Sequence, residues 1–156
     1  MEDLPDSARQ DPSFRRTGGR VKGRDGCRVP LPWSGAAAPY GFGTDAAPWL
    51  PQPADWATLS AGTQAADPSS TLSLYRKALA IRRRHPALGD GTLVWDDGYP
   101  GRVLCFTREP GFGCLVNLSG EPIALPAGAT VLLSSRALVS GLVPHDTTVW
   151  LAPATA

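Results

Sequence analysis

The chain is poor in cysteine, in charge and in long apolar runs, and each shortage excludes a class of protein. It has three cysteines among 156 residues. An odd number at irregular spacing argues against a disulfide framework and favours a reducing, cytoplasmic setting. No apolar run approaches the roughly 18 residues of a membrane-spanning helix. The first residues have neither a basic start nor an apolar core, so we expect no secretory signal and no membrane partner.

Charge is also scarce, with 19% charged residues and a net charge of +1. Basic residues do gather between positions 15 and 24, but acidic residues are interleaved with them and no aromatic residues alternate with them. A surface that binds nucleic acid needs a basic stripe or aromatic platforms for stacking. We therefore expect a solvated or internally paired loop here and no nucleic-acid partner.

Glycine (17) and proline (16) are abundant, while 42% of the residues are hydrophobic. This composition predicts a folded chain with many turns. Residues 1–22 and 29–66 have no periodic apolar pattern and are predicted to be loops. The second of these segments carries several large aromatic side chains, which need a surface to bury against. Residues 1–66 offer no element to provide one, so we expect them to lie on a scaffold outside this segment.

One long helix is predicted over residues 67–85. Asp67 precedes Pro68, as an N-cap precedes a proline at the first helical position. Two neighbouring rows of apolar residues follow at helical spacing, and Pro86 ends the pattern. The basic residues at 82–84 suit the C-terminal end of a helix dipole, which is a simpler explanation for them than phosphate binding.

From Gly89 onward the apolar period changes to two, which predicts short antiparallel strands in a sandwich or curled sheet. The predicted strands are Thr92–Trp95, Arg102–Thr107, Gly113–Leu118, Pro122–Leu125, Thr130–Ser134 and Thr147–Leu151. Cys105 and Cys114 fall on the two arms of a hairpin that turns at Pro110-Gly111. We expect them to be reduced and buried, since no histidine or second cysteine pair joins them as metal ligands.

The segment from Gly23 to Trp33 combines charge, glycine and an aromatic residue more densely than any other. Arg24 and Arg28 flank Asp25, and a guanidinium presents a planar fork of donors that suits a sugar diol or a carboxylate. Asp25 would orient one of these arginines, and Trp33 would form a stacking wall. A cluster that only holds the loop together explains the same residues, so composition leaves both interpretations open.

The segment Arg24-Asp25-Gly26-Cys27-Arg28-Val29-Pro30-Leu31-Pro32-Trp33 resembles the Arg-Asp-x-x-Arg-x-Pro-x-x-Trp motif of glycoside hydrolase family 13 α-glucosidases, which include the oligo-1,6-glucosidases. Further stretches that are similar to the family are Leu4-Pro5-Asp6, Gln10-Asp11-Pro12, Pro48-Trp49-Leu50-Pro51, Ser73 to Arg82, and Val116-Asn117-Leu118-Ser119.

The resemblance implies a mainly β chain with one long helix: a C-terminal antiparallel β-sandwich preceded by the last loop and helix of a (β/α)₈ barrel. Residues 1–88 would be the remnant of the barrel and residues 89–156 the sandwich domain. Arg28 would clamp the terminal glucose of an α-glucoside, and Arg24 would border the substrate entrance. With Asp25, they are the predicted substrate-binding residues.

The resemblance also implies that the catalytic carboxylates lie after earlier barrel strands, since no aspartate or glutamate here falls in a matching motif. We therefore expect no catalytic residue, no metal and no cofactor in this chain, and no hydrolysis by the chain alone. Two alternatives stay open: a non-catalytic β-sandwich that binds carbohydrate or a partner, and one half of a split enzyme with a separately encoded catalytic barrel. For the first, Trp95, Tyr99 and Trp150 are the candidate aromatics, although core packing is the expectation for each.

Overall fold

The computed structural model describes residues 3–43, 47–99 and 101–152. The chain divides into two compact units, Met1–Ser73 and Leu74–Ala156. The described residues form three α-helices: α1 (Pro12–Arg16), α2 (Ala61–Ala66) and α3 (Thr71–Arg84). The strands are β1 (Leu93–Trp95), β2 (Val103–Arg108), β3 (Phe112–Asn117), β4 (Ile123–Ala124), β5 (Thr130–Ser134), β6 (Leu142–Val143) and β7 (Thr147–Ala152). Within these ranges, no helix has the length and apolar character required to cross a membrane.

The first unit is more ordered than the sequence predicts, since α1 and α2 lie in segments expected to be loops. It also has buried residues of its own: Leu50 is fully buried and Tyr40 is 2% exposed. The Tyr40 hydroxyl donates to the carbonyls of Pro53 and Ala54, each at 3.0 Å. A proline-rich segment thus buries a large aromatic ring by satisfying its polar end on nearby backbone. The expectation that these residues offer no surface of their own is wrong for Tyr40 and Leu50.

Other aromatic residues of the first unit do remain largely exposed. Half or slightly more of the surface of Trp33, Phe42 and Trp49 is accessible. The proposal of an external scaffold therefore applies to these three side chains.

The long helix begins later than predicted. Asp67 is the C-cap of α2, and its Oδ1 accepts from the amide and the hydroxyl of Ser69. The residue before α3 is Ser70, whose Oγ accepts from the amide of Ser73 at 3.1 Å, as an N-cap serine does. The prediction of Asp67 as the N-cap is therefore wrong, because that residue closes the preceding helix.

One of the two apolar rows on α3 is half-buried along its length, whereas the other is half-buried only at Leu72, near its start. Leu74, Ala78 and Ile81 are half-buried, whereas Tyr75 and Leu79 are 64% and 46% exposed. No residue of the helix is fully buried. The amphipathic pattern predicts the helix correctly, but it does not reveal that one row faces solvent.

The second unit holds a five-stranded antiparallel sheet in the order β1-β2-β3-β7-β5 and a two-stranded sheet of β4 and β6. All six predicted strands match the observed strands within one residue at each end, and the predicted Pro122–Leu125 strand is shortened at both ends to Ile123–Ala124. β6 was not predicted, because two residues carry no detectable period. One core cluster contains Val103, Leu115 and Val149 from the large sheet and Val143 from the small one. The two sheets therefore share a core, as in a sandwich.

Cys105 and Cys114 lie on the two arms of the β2–β3 hairpin, as expected, and both are buried and unbridged. Cys105 pairs in register with Leu115, and Cys114 pairs with Phe106. Directly opposed residues share a face of a sheet and successive residues alternate. The two thiols therefore point to opposite faces, and each packs in a different core cluster. Burial raises the pKa of Cys114 to about 11.

Candidate functional site

The motif that the sequence singles out is built around Asp25, the first residue of a short 3₁₀ turn at Asp25–Cys27. Its side chain is fully buried. Oδ2 accepts from the amides of Gln10 and Asp11 at 2.7 and 2.8 Å. Oδ1 is also buried and has no hydrogen-bond donor in range among the described residues. Asp25 thus holds the motif against the segment that precedes α1.

Asp11 is a second buried carboxylate, and sequence reasoning did not select it as a site residue. Oδ1 caps α1 by accepting from the amide of Ser13 at 2.8 Å. Oδ2 accepts from the amide of Arg24 at 3.0 Å and from Nη1 of Arg28 at 3.3 Å. These hydrogen bonds, above all the one from the Arg24 amide, lower the pKa of Asp11 to about 2. Asp11 is therefore ionised at neutral pH.

Arg28 is held by both carboxylates. Its Nη1 lies 3.3 Å from Oδ2 of Asp11 and 3.6 Å from Oδ1 of Asp25. The side chain nevertheless stays 42% exposed. One end of the guanidinium is thus positioned by buried charge while the side chain remains accessible, which suits a residue that contacts a ligand.

Arg24 and Arg28 line the same open cavity of about 530 Å³ in the first unit. The lining residues are Asp11, Pro12, Ser13, Arg16, Val21, Gly23, Arg24 and Arg28. The structure therefore brings the two predicted arginines together, with Asp25 buried beneath Arg28. Trp33 does not line this cavity, and its backbone amide instead donates to the carbonyl of Tyr40 at 2.8 Å.

Gly23 fixes the wall of the cavity next to Arg24. Its φ of +71° lies in the left-handed region. A Cβ at this position would come within 2.5 Å of Cβ and Cγ of Asp11. Only glycine allows the backbone to approach the carboxylate closely enough for the Arg24 amide to donate to it.

Part of the basic segment is internally paired, as the interleaved charges suggested. Nζ of Lys22 lies 2.7 Å from Oδ1 of Asp6. Arg9 is a further structural residue that sequence reasoning missed: its side chain is 3% exposed and is paired with Asp3. It also donates to the carbonyls of Leu4 and Lys22, which ties the start of the chain to the segment entering the motif.

The chain is similar in sequence and in structure to proteins of one known family. The model of the α-amylase catalytic domain matches residues 3–91. The chain belongs to the α-amylase family. The members that it matches include α-glucosidases and oligo-1,6-glucosidases, so the resemblance to glycoside hydrolase family 13 is confirmed.

Three relatives show how this α-amylase family chain compares with longer proteins. It is 34% identical over 142 residues to a probable α-glucosidase of Rhizobium meliloti (strain 1021), covering 88% of this chain and 25% of that protein. The crystal structure of the α-glucosyl transfer enzyme XgtA superposes with a TM-score of 0.73 at 32% identity, covering 97% of this chain and 30% of that one. A mutant of MutB solved in complex with its substrate sucrose superposes at 0.65 and 25% identity, covering 90% and 29%.

The chain thus spans about a quarter of the length of the curated α-glucosidase relatives named above. It is homologous to a portion of these enzymes, and the matched portion includes the Arg24–Arg28 segment. Within the described ranges, no group of three or more histidine, cysteine, aspartate or glutamate side chains is placed to hold a metal ion.

Proposed function

We propose that this chain is the C-terminal portion of an α-glucosidase-type glycoside hydrolase that acts on short α-linked glucosides. In this proposal it supplies a substrate-clamping arginine, Arg28, together with the β domain that stabilises the enzyme. Residues 1–88 would belong to the catalytic barrel and residues 89–156 to the sandwich domain. The match of the α-amylase catalytic-domain model to residues 3–91 supports this division.

The observation that carries the proposal is the position of Arg28. Its guanidinium is anchored on Asp11 and Asp25, its side chain is 42% exposed, and it lines the open polar cavity of about 530 Å³ in the first unit. A guanidinium fixed at one nitrogen has its remaining N–H groups preorganised to donate to sugar hydroxyls. Arg24 borders the same cavity and would shape the substrate entrance.

The two buried carboxylates of this site are unsuited to glycoside hydrolysis themselves. A general acid needs a raised pKa so that it keeps its proton at neutral pH. The hydrogen bonds to Asp11 lower its pKa to about 2, so it holds no proton at neutral pH. Asp25 is fully buried and its Oδ2 accepts two backbone amides, so its carboxylate has no surface with which to contact a substrate. We therefore propose that the catalytic acid and nucleophile come from other parts of a complete barrel, and that this chain alone is inactive.

A chimera tests the role of Arg28. The matching C-terminal segment of the Rhizobium meliloti probable α-glucosidase is replaced by this chain, and hydrolysis of 4-nitrophenyl α-glucoside is measured. We expect the chimera to be active and the purified chain to be inactive. Arg28→Gln should lower kcat/KM at least about tenfold, since a charge-assisted contact to the substrate contributes roughly 1.5–3 kcal/mol.

Arg15→Gln is the matched control, because Arg15 is an exposed arginine of α1 that does not line the cavity. It should leave kcat/KM within about twofold of the parent chimera. Turnover by the purified chain would contradict the absence of catalytic residues. Equal losses in Arg28→Gln and Arg15→Gln would contradict the clamping role.

The alternative function, a non-catalytic β-sandwich that binds carbohydrate, is favoured by one observation. Trp95 is 57% exposed on β1, and the expectation that it packs in the core is wrong. It lies on the edge strand of the sheet, and among the described residues no further strand pairs with β1 on its outer side. Its ring meets Phe106 edge to face at 72°, so the two rings do not form the coplanar platform on which a sugar stacks. Titration of the chain with maltotriose, followed by tryptophan fluorescence, tests this. The α-glucosidase proposal expects Trp95→Ala to leave any binding unchanged.

A further inference from the structure

The cavity beside Arg28 contains more positive than negative charge. Arg16, Arg24 and Arg28 line it, whereas Asp11 is its one lining carboxylate. Arg28 is already offset by Asp11 and by Asp25. Neither Arg16 nor Arg24 forms an ion pair with another residue in the described parts of the chain. Two arginines thus line one cavity without a carboxylate partner among the residues that the structure describes.

The backbone that carries these two arginines is fixed to the same carboxylate. Asp11 caps α1, and Arg16 is the last residue of that five-residue helix. Oδ2 of Asp11 accepts from the amide of Arg24, and Gly23 provides the close approach that this bond requires. The two cationic side chains therefore start from positions set by one buried anchor, so little backbone ordering remains to be done when a ligand binds.

The chemistry of the lining selects the ligand class. Guanidinium groups only donate hydrogen bonds, and they pair best with planar or tetrahedral oxyanions. Sugar hydroxyls suffice as acceptors for the N–H groups of one clamping arginine, Arg28, but they carry no charge to balance two further arginines. Asp11 does not supply that charge, because it already accepts from Ser13, Arg24 and Arg28. An anionic group would receive donors from Arg16 and Arg24 and would balance their positive charge.

We propose that this cavity binds the anionic group of a charged glucoside, a phosphate ester or a uronate carboxylate, through Arg16 and Arg24. This inference rests on the proposed function, because it names the substrate class of the same site. Arg16 then becomes a specificity-determining residue next to the clamping Arg28.

The test uses the intact chain, labelled with ¹⁵N-arginine, at low ionic strength. Glucose 6-phosphate, glucuronate, inorganic phosphate and glucose are titrated separately while the arginine Nε–Hε signals are followed by NMR. We expect at least one anionic sugar to shift the Arg16 and Arg24 signals and to bind at least tenfold more tightly than glucose. Added salt should weaken that binding, because it screens the charges.

Two variants show whether the cavity itself is responsible. Arg16→Gln should weaken binding of the anionic sugar about tenfold, whereas Arg15→Gln, with the same change in net charge on the same helix, should change it less than twofold. Equal weakening by both variants would overturn the inference, since it would mean a diffuse charge effect. Whichever of glucose 6-phosphate and glucuronate binds more tightly identifies the anionic group. Comparison with inorganic phosphate shows whether the sugar ring contributes to the affinity.

The outcomes separate this inference from the proposed function. Equal affinity for glucose and for both anionic sugars would overturn the anion site, and the chimera would still report on the clamping role of Arg28. Conversely, tight binding of an anionic sugar together with an active Arg28→Gln chimera would uphold the anion site and contradict the clamping role.

Discussion

Arg28 differs from an ordinary surface arginine because two carboxylates beneath it are themselves held by backbone amides. Asp25 accepts from Gln10 and Asp11, and Asp11 accepts from Ser13 and Arg24. Exposed ion pairs between flexible side chains contribute little because ordering both partners costs entropy. Here the acidic partners are already fixed by the backbone, so Arg28 loses less freedom when it pairs with them.

Part of this site was predictable from the sequence. The density of charge and glycine identified Arg24, Asp25 and Arg28 as one cluster, and the structure brings them together. Asp11 was missed although a signal existed: an aspartate directly before Pro12 is the same capping pattern that was applied, wrongly, at Asp67 and Pro68. Local sequence identifies a cap, but whether a cap opens a helix or follows one depends on the neighbouring segments.

The acid dependence of stability follows from Asp11. Its pKa is lowered from 3.8 to about 2 in the folded chain. As the pH falls, the unfolded chain therefore takes up a proton at this carboxylate before the folded chain does. The stabilisation is fully present above about pH 4 and is lost as the pH falls towards 2. We expect Asp11→Asn to make the midpoint of urea unfolding less dependent on pH between 4 and 2. Asp146→Asn, at an exposed position, serves as the control, and an unchanged pH dependence in Asp11→Asn would contradict this account.

Gly23 offers a test of the cavity wall. Gly23→Ala combines a positive φ with a Cβ that would lie 2.5 Å from the Asp11 side chain, so the Arg24 amide must move away from Asp11. We expect a loss of about 2–3 kcal/mol in the free energy of unfolding, measured with urea. Gly18→Ala has a similar φ of +59° but meets no atom within 4 Å. It should cost only about 1 kcal/mol, and equal costs for the two variants would mean that Asp11 is not the obstacle.

At the scale of elements, the sheet strands were predictable and their connections were not. Alternation of apolar residues identified the strands of the large sheet, because one face of each is buried in the shared core. The two-residue strand β6 shows no alternation, and it is hydrogen-bonded to Asn117 of β3. The Asn117 side chain is fully buried and donates to the carbonyls of Glu121 and Val143 at 2.9 and 3.0 Å. The side-chain amide of Asn117 thus hydrogen-bonds the large sheet to the small one.

Asn117→Asp tests this tie while keeping the size of the side chain. The two donated hydrogen bonds are lost, and a carboxylate is placed in a fully buried site. Each buried polar group left without a partner costs about 1–3 kcal/mol, so we expect unfolding of the second unit to become easier by about 3 kcal/mol or more. Glu121→Gln is the control, because it alters an exposed side chain and leaves the backbone acceptor in place. A loss below 1 kcal/mol in Asn117→Asp would mean that other contacts hold β6.

In the whole molecule, each unit has buried residues of its own, and the three cysteines differ in their exposure to solvent. Cys27 is exposed in the first unit, whereas Cys105 and Cys114 are buried on opposite faces of the large sheet. Burial raises the pKa of both buried thiols, that of Cys114 to about 11. Because the thiolate is the reactive form, both should resist alkylation and disulfide exchange while the second unit stays folded.

Thiol labelling with 5,5′-dithiobis(2-nitrobenzoate) therefore measures opening of the second unit. We expect one cysteine to react quickly in the native chain at pH 8 and three to react in 6 M guanidinium chloride. The two slow thiols should react at the same rate, since Cys105 and Cys114 lie in neighbouring strands that open together. Asn117→Asp should accelerate the reaction of both and leave the fast reaction of Cys27 unchanged. Cys114→Ala should halve the amplitude of this single slow phase. Fast labelling of two or more cysteines in the native chain would contradict the burial of both sheet faces, because a packed strand pair exposes neither thiol without unfolding.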